Sequence, residues 1–222
     1  MGVWNGFLHL LTHLLLVFTG WTGNYVLGIV LLTLLVRLIL LPLGISQARS
    51  LQKMARLGPR TRELQQRHKG NPQVLQAEIA KLYQEEGVNP ASGCLPLLLQ
   101  IPVMYGLFDV LRGFPYKPNM GWLVWHNLAQ PDHTFVLPVL VAASTFFMQK
   151  QAMAMTPPQP GMESSQKMML WLMPVVFGYV ALQFPSGLSI YYVVSNLFQL
   201  GQTLLLLRTP MDKKATGARA AR

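Results

Sequence analysis

The sequence predicts an all-α integral membrane protein with five transmembrane helices, an N-terminal interfacial amphipathic helix and a cytoplasmic helical hairpin. Three observations lead there. Of 222 residues, 51% are hydrophobic and only 12% are charged, whereas a soluble domain carries about a quarter charged residues. The apolar residues fall in five runs, each near the roughly 20 residues that a helix needs to cross about 30 Å of hydrocarbon. The excess behind the net charge of +10 is concentrated in the segments between and after certain runs, as the loops on one side of a membrane would carry it.

Residues 1–20, MGVWNGFLHLLTHLLLVFTG, place Asn5, His9, Thr12 and His13 at i, i+4, i+7, i+8. That spacing puts them on one helical face against Leu, Val and Phe on the other, which suits a helix lying in the membrane interface. His9 and His13 have the spacing of a two-histidine metal site, but no Glu follows His9, so the metalloprotease pattern is absent and no metal is expected. These residues contain no Lys or Arg, so no cleavable signal is evident. The lone cysteine, Cys94, excludes an intrachain disulfide and reads as a packed residue.

The first span is 24–46. Residues 47–91 follow with eight Lys and Arg against four Glu. They read as two helices, 46–68 and 73–86, turning at KGNP (69–72), with Pro72 in a first helical turn and Gly87 as a C-cap. Further spans are 92–112, 135–153, 168–183 and 187–207. The loop 113–134 holds Trp122 and Trp125 as an interfacial belt. The loop 154–167 is polar, FPSG (184–187) is a tight turn, and 208–222 is a basic tail.

Five spans put the chain ends on opposite sides. The hairpin, the 154–167 loop with its flanks and the tail carry fifteen of the 18 Lys and Arg; Arg112 and Lys117 lie on the other side. The positive-inside rule makes the rich side cytoplasmic and the N-terminus external. Topology thus accounts for the basic excess without DNA as a partner.

The remaining cation is Arg37, in TLLVRLILLPL (33–43). A guanidinium stays charged, so burial demands a partner or water. Thr33 is one turn earlier on the same face. The spans contain no Glu, and their one Asp, Asp109, is near the outer end of its helix, where Arg112 at i+3 is a local partner. Other polar residues sit at helical spacing: Gln100; Ser144, Thr145 and Gln149; and Ser189, Tyr192, Asn196, Gln199 and Thr203. Polar groups at membrane depth face a bundle interior or a wet cavity. Arg37 therefore suggests a site that receives something from the cytoplasm.

GVNPASGCLPLLLQIPVMYGLF (87–108) and FPSGLSIYYVVSNLFQLGQ (184–202) resemble the YidC/Oxa/Alb membrane-protein insertase family. The arginine of the first span and the charged hairpin match as well, and the five-span layout resembles the Gram-positive bacterial type. The resemblance implies a hydrophilic groove, open to the cytoplasm and to lipid, with Arg37 attracting acidic residues of a client's translocated tail. It places Gln100, Tyr192 and Trp171 in that groove. With Thr33, Gln149, Ser195 and Asn196 they make the candidate client-binding set. Arg56, Arg60, Arg62, Glu63 and Arg67 belong to the hairpin, implied to be the first client contact. Implied partners are newly made membrane proteins, membrane lipid, the Sec translocon, the ribosome and the signal recognition particle, at the bacterial plasma membrane.

Two other functions would use parts of the same pattern. A small-solute or anion channel would use the same polar face, though five unequal spans do not suggest paired inverted halves. An intramembrane protease would draw on Ser189, Ser195, His9 and His13, but neither HExxH nor GxSxG occurs. No enzyme activity, catalytic residue or cofactor is expected.

Overall fold

The computed structural model of the chain describes residues 2–68, 70–89, 95–117, 127–155 and 163–208. Cys94, Trp122, Trp125, part of the 154–167 loop and the tail beyond 208 lie outside the described residues. Within them the chain forms nine helices and no strand: α1 (Gly2–Thr22), α2 (Tyr25–Ile39), α3 (Leu41–Arg56), α4 (Gly58–Arg67), α5 (Pro72–Glu85), α6 (Leu95–Gly113), α7 (Val136–Met155), α8 (Glu163–Ala181) and α9 (Ser186–Arg208).

Helix ends follow from particular residues. Gly23 takes φ +64° to leave α1, and the Asn24 side chain accepts hydrogen bonds from the Val26 and Leu27 amides at 2.8 and 3.2 Å to start α2. The first span, expected as one helix over 24–46, breaks at Leu40, and α2 and α3 meet at 61°. Pro42 is responsible: it has no N–H to continue the ladder, and its ring crowds the carbonyl four residues back. The expected 46–68 helix divides at Leu57 for the same reason, with Pro59 opening α4. The hairpin turns where KGNP lies, and Asn71 caps α5 with Pro72 at its first position. Gly87, at φ +62°, ends α5 with paired bonds from its own amide to Gln84 O and from Val88 N to Tyr83 O, a Schellman closure. Helix α8 starts at Glu163, five residues before the expected span, because ESSQK contains no Gly or Pro to stop it.

The main core gathers at one end of the bundle. It joins Leu11 and Leu15 of α1, Tyr25, Ile29 and Leu32 of α2, Leu107 and Leu111 of α6, Leu128, and Leu188 and Tyr191 of α9. Tyr25 meets Phe114 and Tyr116 edge to face, and those two rings are tilted on each other, with centroids 5.1 to 5.7 Å apart. The segment before α7 closes this end: Ser186 N and Gly187 N donate to Gln130 O and Leu128 O at 2.8 and 3.1 Å, satisfying the start of α9. Asp132 caps α7 through the Leu137 amide at 2.7 Å. Toward the other end burial fades. No described side chain of α2 beyond Thr33, of α7 beyond Thr145 or of α9 beyond Asn196 is fully buried.

Helix α1 lies against the packed end. Thr19 abuts Gly28, and Phe7 and Leu11 abut Gly106. Leu8 and Thr12 border a cavity of about 180 Å³ with Asp109, Val110, Gly113 and Phe114. Its polar face, Asn5, His9 and His13, is exposed. By length and composition α1 alone among the described helices qualifies to cross a membrane, and α2 with α3 qualifies as a bent pair. Helices α7, α8 and α9, of 20, 19 and 23 residues, have the length but carry polar residues. On α8, Met168, Trp171, Val175 and Tyr179 form a stripe at i, i+3, i+7, i+11, each more than 60% exposed. Such an apolar face is foreign to water and native to lipid.

The hairpin has a separate core, Met54, Leu57, Leu75, Ile79, Tyr83 and Val88. Leu75, Ile79 and Tyr83 recur every four residues, so one face of α5 is buried. Arg60 pairs with Glu86 at 2.6 Å on the surface, and burial raises the Tyr83 phenol above its ordinary pKa.

Candidate functional site

Arg37 occupies the last turn of α2, just beyond the point where the core ends. It is about twelve residues, or roughly 18 Å, along that helix. Its Nη1 donates to Gln199 Oε1 on α9 at 3.4 Å, and its Nη2 to Gln100 Oε1 on α6 at 3.5 Å. Gln100 Nε2 donates in turn to the Tyr191 hydroxyl at 2.6 Å. Among the described residues no carboxylate pairs with Arg37; the ion pair found there is Arg60–Glu86. Asp109 is nine residues from Gln100 along α6, about 13 Å away along the axis. The local Asp109–Arg112 pair expected from spacing does not form; the Arg112 guanidinium sits over the Phe108 ring at 4.8 Å instead.

A second polar layer links α9 to α7. Asn196, 4% exposed, donates to Ser144 Oγ and Thr145 Oγ1 at 3.1 and 3.3 Å. Gln149 lies half-buried farther along α7, and Tyr192 stacks on Phe177 of α8 with centroids 5.2 Å apart. Ser195 is fully buried.

Some expected residues stand apart. Thr33 is fully buried and its hydroxyl returns to the Ile29 carbonyl at 2.6 Å, so it does not serve Arg37. Trp171 faces outward, 67% exposed, against Phe146. Arg56, Arg60, Arg62, Glu63 and Arg67 are exposed on the hairpin, remote in sequence from this layer. His9 and His13 are exposed on α1, and no cluster of three His, Cys, Asp or Glu occurs among the described residues. Sequence reasoning singled out Tyr192 and missed its neighbour Tyr191. The signal was present: Tyr191, Ser195 and Gln199 fall at i, i+4, i+8, a single face.

Chemically, the Arg37 cluster is a cation held by neutral oxygens. Both contacts are longer than the usual 2.9–3.0 Å, and they engage two of the five guanidinium donors. The rest can meet water or an incoming anion.

The model of the family described as 60Kd inner membrane protein matches residues 17–214. A Clostridium perfringens protein named membrane protein insertase YidC is 42% identical over 200 residues, covering 88% of this chain and 84% of the relative. Bacillus anthracis YidC 2 is 38% identical over 92% of this chain and 81% of the relative. The Wolinella succinogenes YidC is 38% identical, but this chain spans only 36% of it. A crystal structure of an active YidC insertase with its first transmembrane domain resolved is similar, with a TM-score of 0.73 and 29% identity, over 91% of this chain and 47% of that one. On these matches the chain belongs to the YidC/Oxa family of membrane proteins.

Proposed function

We propose that this protein is a membrane protein insertase in which α2, α6, α7, α8 and α9 cross the bilayer, α1 lies in the outer interface, and Arg37 is a transient counter-charge for a client's translocated tail. The observation that carries the reading is the guanidinium held by neutral partners just beyond the packed core. The packed end then faces outward. The loosely packed end faces the cytoplasm with the basic hairpin, following the distribution of Lys and Arg. The relatives' names support insertion as the activity.

The physics is straightforward. Peptide groups entering about 30 Å of hydrocarbon lose water without replacement. A wet polar layer around Arg37, Gln100, Gln199 and Asn196 shortens the dry path. Arg37 gives an acidic tail a favourable stop partway. The membrane potential adds roughly 2.3 kcal/mol per negative charge per 100 mV toward the outside. The apolar client segment leaves by partitioning into lipid along a face such as that of α8. Clients are newly made membrane proteins, delivered past the hairpin; the Sec translocon, ribosome and signal recognition particle are the partners this role would involve.

Reconstitution in liposomes tests the reading. A single-span client with an acidic N-terminal tail is added, and protease protection of the tail is scored. Wild type should protect it, Arg37→Ala should lose most of the protection, and Arg37→Lys should retain much of it. Unchanged protection in Arg37→Ala would remove the electrostatic role. Anion flux dependent on Arg37, without tail protection, would favour the channel reading.

A further inference from the structure

The two amides that hold Arg37 are not equivalent. Gln100 is restrained on both sides: its Oε1 accepts from Arg37, and its Nε2 donates to Tyr191, which is 1% exposed. The guanidinium can only donate, so it fixes the amide oxygen toward itself, and the Tyr191 hydroxyl takes the other end of the amide. Gln199 touches Arg37 through Oε1 at 3.4 Å, and among the described residues its Nε2 makes no hydrogen bond. Its side chain is half-buried rather than sealed in. The neighbouring polar groups, Gln100, Tyr191, Ser195 and Asn196, are all neutral, so Arg37 alone sets the formal charge of this layer.

We propose that Gln199 is a specificity-determining residue: it holds Arg37 without neutralising it, and thereby makes the layer select client tails by the sign of their charge. The inference rests on the reading of Arg37 as a counter-charge. A glutamate at 199 has the same length and offers an oxygen at the same place, within ion-pair reach of Nη1. It would turn a hydrogen bond with one charged partner into an ion pair with two, and bring the net charge of the layer to zero. A glutamine supplies the oxygen and no charge. Its long bond is weak, so a client carboxylate can displace it.

The test uses the reconstituted full chain and two clients that differ only in the tail, one with acidic residues and one with lysines at the same positions. The readout is the ratio of protected acidic tail to protected basic tail. This ratio is insensitive to a uniform loss of folded protein. Gln199→Glu should lower insertion of the acidic client by about tenfold and raise insertion of the basic client. Misfolding cannot produce that gain. Gln199→Leu, which removes the oxygen but adds no charge, should leave the ratio within about twofold of wild type. If Gln199→Glu leaves the ratio unchanged while Arg37→Ala lowers it, the role of Gln199 is overturned and that of Arg37 stands. If Arg37→Ala also leaves the ratio unchanged, both fall.

Discussion

Replacing Gly28 by alanine should loosen α1 from the bundle. A Cβ at Gly28 would overlap the Thr19 methyl and stand 3.3 and 3.4 Å from the Thr19 backbone N and Cα. Thr19 is 3% exposed, and its hydroxyl donates to the Leu15 and Leu16 carbonyls at 2.7 and 3.0 Å. Those bonds hold the rotamer, so the methyl cannot swing aside. Overpacking of this kind costs about 1–3 kcal/mol, and the better helix propensity of alanine offsets up to about 1 kcal/mol of it. Because backbone as well as the methyl stands in the way, the clash takes the upper part of that range, about 2–3 kcal/mol, and the expected net loss is about 1–2 kcal/mol, or roughly 2–8 °C in Tm for a chain of this size. Thr19→Ser removes the methyl and keeps the hydroxyl, at a cost near 0.8 kcal/mol. In the double variant the new methyl fills the vacated space, so its Tm should exceed that of Gly28→Ala. Thermal unfolding of the four proteins in one detergent completes the cycle. A Gly28→Ala variant as stable as wild type, or a double variant no more stable than the single, would refute the docking of α1 at this point.

The hairpin core should outweigh its surface ion pair. Ile79→Ala should destabilise the hairpin by about 2–5 kcal/mol, whereas Arg60→Ala, at a pair whose side chains are 64% and 39% exposed, should change it by less than about 1 kcal/mol; protease sensitivity of the hairpin reports both. Burial raises the Tyr83 pKa, so the stability this phenol contributes is complete below its unfolded pKa near 10 and lost as pH rises through the folded value. Alkaline opening of the hairpin should therefore be blunted in Tyr83→Phe, measured as proteolysis between pH 9 and 11. A cysteine at 199 in a Cys94→Ser background should react with a water-soluble maleimide added on the cytoplasmic side, and one at Leu188, in the packed end, should not. Equal labelling of both would contradict the proposed difference between the two ends.

Much of this was legible in local pattern. Turn residues marked the hairpin, because Asn71, Pro72 and Gly87 act through their own backbone geometry. The apolar runs marked the long helices, because hydrophobicity is summed over many residues. Breaks at Leu40 and Leu57 were harder. Pro42 and Pro59 were visible, but a proline in a helix bends or divides it according to what the next segment packs on, and α3 packs on α7 and α9. Partner choice was the least legible. Thr33 shares a face with Arg37, yet its hydroxyl satisfies its own helix. The partners come from α6 and α9, and their identity depends on how those helices are rotated. Tyr191 and Tyr192 are about 100° apart on one helix, and only the packing separates the residue that orients Gln100 from the one that stacks on Phe177.

The proposed function requires a client's acidic tail to pass Arg37. A stalled single-span client with one cysteine beside its acidic residues, offered to protein bearing a cysteine at 199 in the Cys94→Ser background, would report that passage by disulfide capture under mild oxidation. A crosslink is expected at 199 during insertion, none at Leu188, and strong loss of the crosslink when Arg37 is alanine or the tail is neutral. A crosslink of equal yield in all of these, or none at 199 while the tail is still translocated, would contradict the proposed function.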